Sequence, residues 1–220
     1  MTKILIFLCI VSSFFSCASV SLYTINVKYT PPESAVTKVD ACKYSILTVA
    51  MFNDLRTVED KALIGNVVFS DGSKIPILPK YLKPVDAVTF GIREYLSVAG
   101  YTVSSKSPAW DLQDNTINKE WGTVLVGGTI DRFEVTCYKE GIKKRYQTKV
   151  KLTVVFADVK KSRVFYTIKV ETNPSLIHVR FSEEMLEEQI NEALSDAIER
   201  VFGNKETMQE IREKIEKKIL

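Results

Sequence analysis

From Thr123 to Val170 the chain alternates between apolar and polar positions. Tyr146, Thr148, Val150, Leu152, Val154 and Phe156 fall on one side of a pleated strand, and Arg145, Gln147, Lys149, Lys151 and Thr153 on the other. A period of two with one dry and one wet face is the pattern of an antiparallel sheet covered on one side. In the preceding strand Val124, Val126 and Ile130 keep even numbers, whereas Phe133, Val135 and Cys137 keep odd ones. This slip of one position predicts a β-bulge near Asp131-Arg132. The charged stretches 139–144 and 158–162 read as hairpin turns. A third strand puts Val164, Tyr166, Ile168 and Val170 on one face, and Asn173-Pro174 ends it.

Two stretches switch to helical spacing. Val85, Val88, Ile92, Tyr95, Leu96 and Ala99 share a face between Pro84 and Gly100, a proline start and a glycine stop. Leu186, Ile190, Ala193, Leu194, Ala197, Ile198, Val201 and Phe202 form a wider stripe after the capping residue Ser182. Glu183 and Glu184 in its first turn suit the helix dipole. Beyond Gly203-Asn204, Met208, Ile211, Ile215 and Ile219 mark a narrower amphipathic helix. Its stripe could dock on the domain or on a partner.

The earlier chain is less regular. Tyr44 to Phe52 reads as a central strand buried on both faces. Residues 54–83 read as a long excursion with little core of its own, in which Leu63 to Phe69 could be a strand, 70–73 a turn and Lys74 to Leu78 a return that Pro76 and Pro79 demote to an edge piece or loop. Long excursions of this kind either carry binding residues or are mobile surface loops. The polar insert 104–120 lies between Trp110 and Trp121, whose rings are expected to pack at its ends. Val20, Leu22, Ile25 and Val27 alternate loosely before Pro31-Pro32, so residues 17–41 read as a tether with room for one short strand. The fold class expected from these patterns is α+β: an antiparallel β-meander sheet of about four to six strands, covered on one face by two main helices, plus a C-terminal helix. The expected division is residues 1–16 leader, 17–41 tether, 42–203 domain and 204–220 C-terminal helix.

Composition is that of an ordinary globular chain, with 45% apolar and 26% charged residues among 220. The net charge of +3 is spread along the chain without a basic stripe, which argues against nucleic acid as a partner. The N-terminus adds a location. Met1-Thr2-Lys3, the apolar run Ile4 to Phe15 and the small residues Ser16, Cys17, Ala18 and Ser19 form an export signal, too short for a comfortable permanent span. Phe14-Phe15-Ser16-Cys17 reads as an imperfect lipobox, with cleavage before Cys17 and a lipid on its thiol. The competing reading is plain signal-peptidase cleavage after Ala18. If both Cys9 and Cys17 are so assigned, Cys42 and Cys137 remain: a disulfide pair or two separate buried thiols.

Chemistry is hard to find. The single histidine, His178, stands in Leu-Ile-His-Val-Arg before a helix and reads as structural or exposed. No Gly-x-Ser-x-Gly elbow, Walker or Rossmann pattern occurs, and there is no paired-cysteine spacing for zinc. No catalytic residue, metal site or cofactor is expected. Gly127-Gly128 inside a strand reads as close packing or a bulge. The remaining candidates for a binding surface are Asp54, Arg56 and Asp60 in the excursion and Lys149 and Lys151 on the wet sheet face. The lysines would attract an anionic head group or polyanion, although exposed strands commonly carry lysines for solubility.

The layout of a lipobox, a strand closing on Asp54-Leu55-Arg56, an excursion with Leu63-Ile64-Gly65, a helix from Asp86 to Leu96, Gly100-Tyr101-Thr102-Val103, a meander and a terminal helix resembles the YajG-like family of uncharacterised bacterial lipoproteins. The resemblance covers roughly residues 42–202, and it is more distantly similar to LptE-like and ABC-transport auxiliary lipoproteins. It implies a non-enzymatic lipoprotein of the cell envelope, an accessory or binding module facing the periplasm and held by Cys17. Ala18 after Cys17 implies sorting to an outer membrane. A transport or lipopolysaccharide-assembly accessory that binds a protein partner or amphiphile is the alternative, and a hydrolase with an unrecognised carboxylate site is a remote one. The family has no agreed catalytic residues to carry over.

Overall fold

The computed structural model describes residues 21–31 and 45–216. The leader, Cys17 and Cys42 lie outside the described residues. The strands are β1 (Tyr23–Ile25), β2 (Ile46–Val49), β3 (Asn53–Asp54), β4 (Gly65–Phe69), β5 (Lys74–Pro79), β6 (Thr102–Val103), β7 (Val124–Glu140), β8 (Lys143–Asp158), β9 (Arg163–Thr172) and β10 (Ser175–His178). The helices are α1 (Pro84–Val98), α2 (Glu183–Gly203) and α3 (Lys205–Glu216).

Among the described residues the sheet is ten-stranded and mixed, which overturns the antiparallel meander of four to six strands. Its axis is β7. One edge of β7 pairs antiparallel with β8 along its whole length, from Val124↔Asp158 to Glu140↔Lys143. The other edge receives three parallel pieces in succession: β2 at Leu47↔Val124, β3 at Asn53↔Thr129 and β4 from Gly65↔Val135 to Phe69↔Lys139. Period-two patterning gives no partner direction, so the parallel half could not be read from it. β8 is shared in turn by β9, at Val150↔Thr172 to Asp158↔Arg163, and by β10, at Ser175↔Gln147 to His178↔Lys144.

Residues 54–83 hold the expected strand, turn and return, but they carry more of the core than expected. β4 and β5 pair antiparallel, and Ile64, Val67 and Ile77 are fully buried. Nor is β5 an edge, because β1 pairs with it in parallel at Tyr23↔Ile77, Thr24↔Leu78 and Ile25↔Pro79. The two prolines are accommodated by the neighbouring bonds: Ile64 N–H donates to the carbonyl of Ile77, and Lys80 N–H to that of Ile25. The segment expected to be mostly tether thus supplies the true edge strand, with Ile25, Val27 and Tyr29 buried against the helices.

A bulge stands at Asp131, where the β7–β8 register shifts between Ile130 and Arg132. Its carboxylate accepts the hydroxyls of Thr129 and Thr153, both at 2.8 Å, which fixes the extra residue. A second shift lies between Phe156 and Ala157, where Phe156 faces Tyr166 and Ala157 faces Val164. Phe165 is the unpaired residue. As a result Val164 leaves the face of Tyr166, Ile168 and Val170 and joins the opposite side of the sheet, contrary to the simple alternation.

The main core lies between the sheet and helices α1 and α2, with Phe133, Tyr146, Phe156, Ile92, Leu96, Leu194 and Phe202 inside it. Ser182 caps α2, its hydroxyl accepting Met185 N–H at 3.2 Å. α3 docks within the chain through fully buried Ile211 and part-buried Met208. The other face is not uniformly wet. Trp110 and Ile117 from the polar insert pack there on Ala50, Leu125, Val155, Ala157 and Val159. That second layer explains why every residue of β7 from Val124 to Ile130 is buried.

Candidate functional site

Asp54, Arg56 and Asp60 do not form one site. β3 ends on Asp54 beside Ile130 of β7, and Leu55 N–H donates to the carbonyl of Ile130 at 3.0 Å. Arg56 then turns inward and is 5% exposed. Its Nη2 meets Asp54 Oδ2 at 2.7 Å, and Nε donates to Oδ1 at 3.0 Å. Nη1 donates to the carbonyls of Leu63 at 2.8 Å and Phe133 at 3.3 Å, and Nη2 also reaches the carbonyl of Lys61. Asp60 stays outside, accepting Ala62 N–H at 2.8 Å in a local turn.

This arrangement is architectural. β3 leaves β7 at Ile130 and β4 rejoins it at Val135, so among the described residues the β7 edge between them lacks a strand neighbour on that side. The Arg56 fork spans the gap, bonding β7 at Phe133 and tying down the returning loop at Lys61 and Leu63. A guanidinium suits the task because its donors diverge in a fixed plane. Burial works against the charge of Asp54. The hydrogen bonds and charge of Arg56, with Lys61 nearby, outweigh that and hold its carboxyl below the usual range. The adjoining cleft, lined by Arg56, Val58, Asn66 and Asp131 among others, measures about 80 Å³. Ligand pockets run to roughly 300–1,000 Å³.

Lys149 and Lys151 are also engaged. Both project from β8 toward Glu171 of β9, with Nζ–carboxylate distances of 3.1 and 3.5 Å. Hydrogen bonds from Asn173 and Lys149, and the charges of the two lysines, hold the Glu171 carboxyl below its usual range. This is a cross-strand charge cluster on an exposed sheet face, of modest energetic weight.

Cys137 is buried on β7 opposite Tyr146, and burial pushes its thiol up. His178 accepts Arg180 N–H at Nδ1, at 3.1 Å, a local turn contact. Among the described residues no group of three or more His, Cys, Asp or Glu is arranged to hold a metal ion.

What the alternation did not reveal is how α2 closes the open edge of β1. Successive alternate amides of the N-terminal segment donate to side chains one helical turn apart: Thr24 to Glu183 at 3.4 Å, Asn26 to Glu187 at 2.8 Å, Lys28 to Asn191 at 2.9 Å and Thr30 to Ser195 at 3.0 Å. Two strand residues advance about 6.7 Å and four helical residues about 6.0 Å, so the series stays in register over four rungs. The next amide belongs to Pro32, which has no N–H, and the next helical position is Glu199. Burial, with Asp196 nearby, pushes the Glu199 carboxyl up. Beside this ladder runs an open acidic groove of about 630 Å³, lined by Glu184, Glu188, Glu192, Asp196 and Glu199 with Thr30 and Pro31. The readable sign was a row of polar residues at 183, 187, 191 and 195 flanking the apolar stripe of α2.

The overall fold is similar to that of protein XCC0632 from Xanthomonas campestris, of family DUF330. The two agree with a TM-score of 0.56 at 13% identity, over 88% of this chain and 99% of that one. An uncharacterised protein aligns with a TM-score of 0.47 at 10% identity, over 82% of this chain and 96% of the other. Protein CT253 from Chlamydia trachomatis, called hypothetical, gives 0.41 at 11%, over 78% and 97%. No protein-family model matches the sequence, and no curated protein matches it. Among the described residues no helix is long and apolar enough to cross a membrane.

Proposed function

We propose that this chain is a cell-envelope lipoprotein, anchored through an acylated Cys17, that acts by binding rather than by catalysis as an accessory module facing the periplasm. The observation that carries this reading is the junction between leader and domain. An export signal ends on Cys17, and the sixth residue after it, Tyr23, already opens a strand of the sheet. The domain is thus held close against whatever surface receives the lipid, since six residues reach about 20 Å at most. Asp54 with Arg56, and Lys149 and Lys151 with Glu171, are engaged within the sheet, so the binding surface of this reading lies elsewhere on the domain. Outer-membrane placement follows from Ala18 by the usual sorting rule.

Intact-mass measurement of the native protein, paired with fractionation of Cys17→Ala, tests this. The expected result is a mature chain starting at Cys17 with acyl chains, and loss of membrane association in the variant. An unmodified chain starting at Ser19 would overturn the reading.

A further inference from the structure

The end of the sheet at the β7–β8 turn exposes apolar side chains among cations. Ile142 at the tip is 81% exposed, and Ile177 and Val179 are each 62% exposed. The β8–β10 register sets Ile177 beside Arg145 and His178 beside Lys144, which brings Val179 level with Lys143 at the turn. Lys143 and Arg180 are exposed, and Lys144 is half-buried with its ammonium on the carbonyl of Gly141. Among the described residues none of these three cations has a carboxylate within ion-pairing distance. Arg145 is paired with Glu140 at 2.7 Å, and Lys139 sits over the rings of Phe69 and Phe181 at 4.7 and 3.6 Å. Protruding aliphatic groups ringed by cations without carboxylate partners suit an anionic lipid surface: the first enter the head-group boundary and the second meet phosphates.

The direction of β1 makes this placement specific. β1 is parallel to β5, β5 is antiparallel to β4, and β4 is parallel to β7, so β1 runs opposite to β7. The chain before Tyr23 is therefore aimed at the end of the sheet where β7 turns. Tyr23 is level with Val135 through Ile77 and Gly65. Six residues lie from Val135 to Gly141 along β7, and six from Tyr23 back to Cys17. Tyr23 also packs edge-on to Phe181, with centroids 5.0 Å apart, two residues from Val179.

The geometry points to a membrane-seating surface made of Ile142, Lys143, Lys144, Ile177, Val179 and Arg180, which lays this end of the domain on the anionic phospholipid leaflet that holds the Cys17 acyl chains. The inference rests on the proposed lipid anchor. It adds an orientation: β7 stands toward the membrane, and the Val124 end, with the Trp110 layer, points away.

The test uses the full mature chain carrying Ile142→Trp, purified from its native membrane and reconstituted into vesicles of phosphatidylcholine alone or of phosphatidylcholine and phosphatidylglycerol in equal parts, with brominated acyl chains. The unsubstituted chain gives the Trp110 and Trp121 background. The introduced indole is expected to be quenched and blue-shifted in the anionic vesicles and much less so in the neutral ones. Lys143→Glu, Lys144→Glu and Arg180→Glu should each lower the docked-to-undocked ratio by about fivefold or more, while flotation with the vesicles persists. Flotation without quenching, or quenching indifferent to lipid charge and to these reversals, overturns the seating surface and leaves the anchor standing. Failure to float with neutral vesicles overturns the anchor. In that case quenching on anionic vesicles still upholds the surface, and its absence overturns that too.

Discussion

Asn191 of α2 treats Asn26 as a neighbouring strand would: its Nδ2 donates to the Asn26 carbonyl at 3.0 Å while its Oδ1 accepts the amide of Lys28 at 2.9 Å. One amide side chain thus satisfies both a donor and an acceptor on the open edge of β1. With Glu187 and Ser195 on either side, α2 covers an edge that would otherwise invite pairing with another chain.

Asn191→Leu keeps the volume and removes both bonds, leaving two backbone groups of a 6%-exposed site without partners. The expected loss is about 2–4 kcal/mol by urea unfolding, from roughly 1–3 kcal/mol for each unsatisfied group less some rescue by water. Hydrogen exchange at Lys28 should speed up more than exchange in β8. Unchanged protection at Lys28 would show that the edge is held by its apolar side chains alone.

Arg56→Met should destabilise the domain by about 2–4 kcal/mol, because it leaves the Asp54 carboxylate with only Lys61 at 3.8 Å and frees the carbonyls of Leu63 and Phe133. Asp54→Asn should cost less, since the amide still accepts from Arg56. The pH dependence separates the two. The carboxyl of Asp54 is lowered in the folded state, so its contribution is fully present above its ordinary value near 3.8 and is lost as pH falls through the folded value. Wild-type stability should fall more steeply below pH 4 than that of Asp54→Asn, and equal slopes in acid would refute the ion pair's role.

A side chain at Gly127 would place its Cβ 2.6 Å from the Trp110 ring. Gly127→Ala is therefore expected to push Trp110 off the sheet, with a red-shifted indole emission and a loss of about 1–3 kcal/mol. The Trp110 Nε1–H bond to the Gln113 carbonyl, 3.0 Å long, should break with it. Since Trp110 closes the face away from α2, the emission change should precede global unfolding in a denaturant titration. A single coincident transition would mean that both layers unfold as one unit.

Several features were plain in the amino-acid order because they are local. The bulge near Asp131 follows from a change of phase, the two helices from spacing and caps, and the packing of Trp110 and of Gly127-Gly128 from residue type. The functional candidates were less legible. Asp54 and Arg56 are two residues apart and invited a site. Their role depends on the gap in β7 between Ile130 and Val135, which exists only once β3 and β4 have both docked. The surface proposed to seat on a membrane was invisible for a related reason, since Ile142 and Val179 come to one end of the sheet only through the pairing of β10 with β8.

The sequence by itself determined the long strands of the meander, the bulge near Asp131 and the two main helices with their apolar stripes. These depend on side-chain period and on interactions within a few residues. The tertiary structure alone decided that β2, β3 and β4 line one edge of β7 in parallel, that residues 23–30 close the sheet under α2, and that a second layer covers the far face. Those outcomes are settled by backbone pairing between distant segments. Such pairing uses the same N–H and C=O groups at every residue, so its direction and partners leave no mark in residue type.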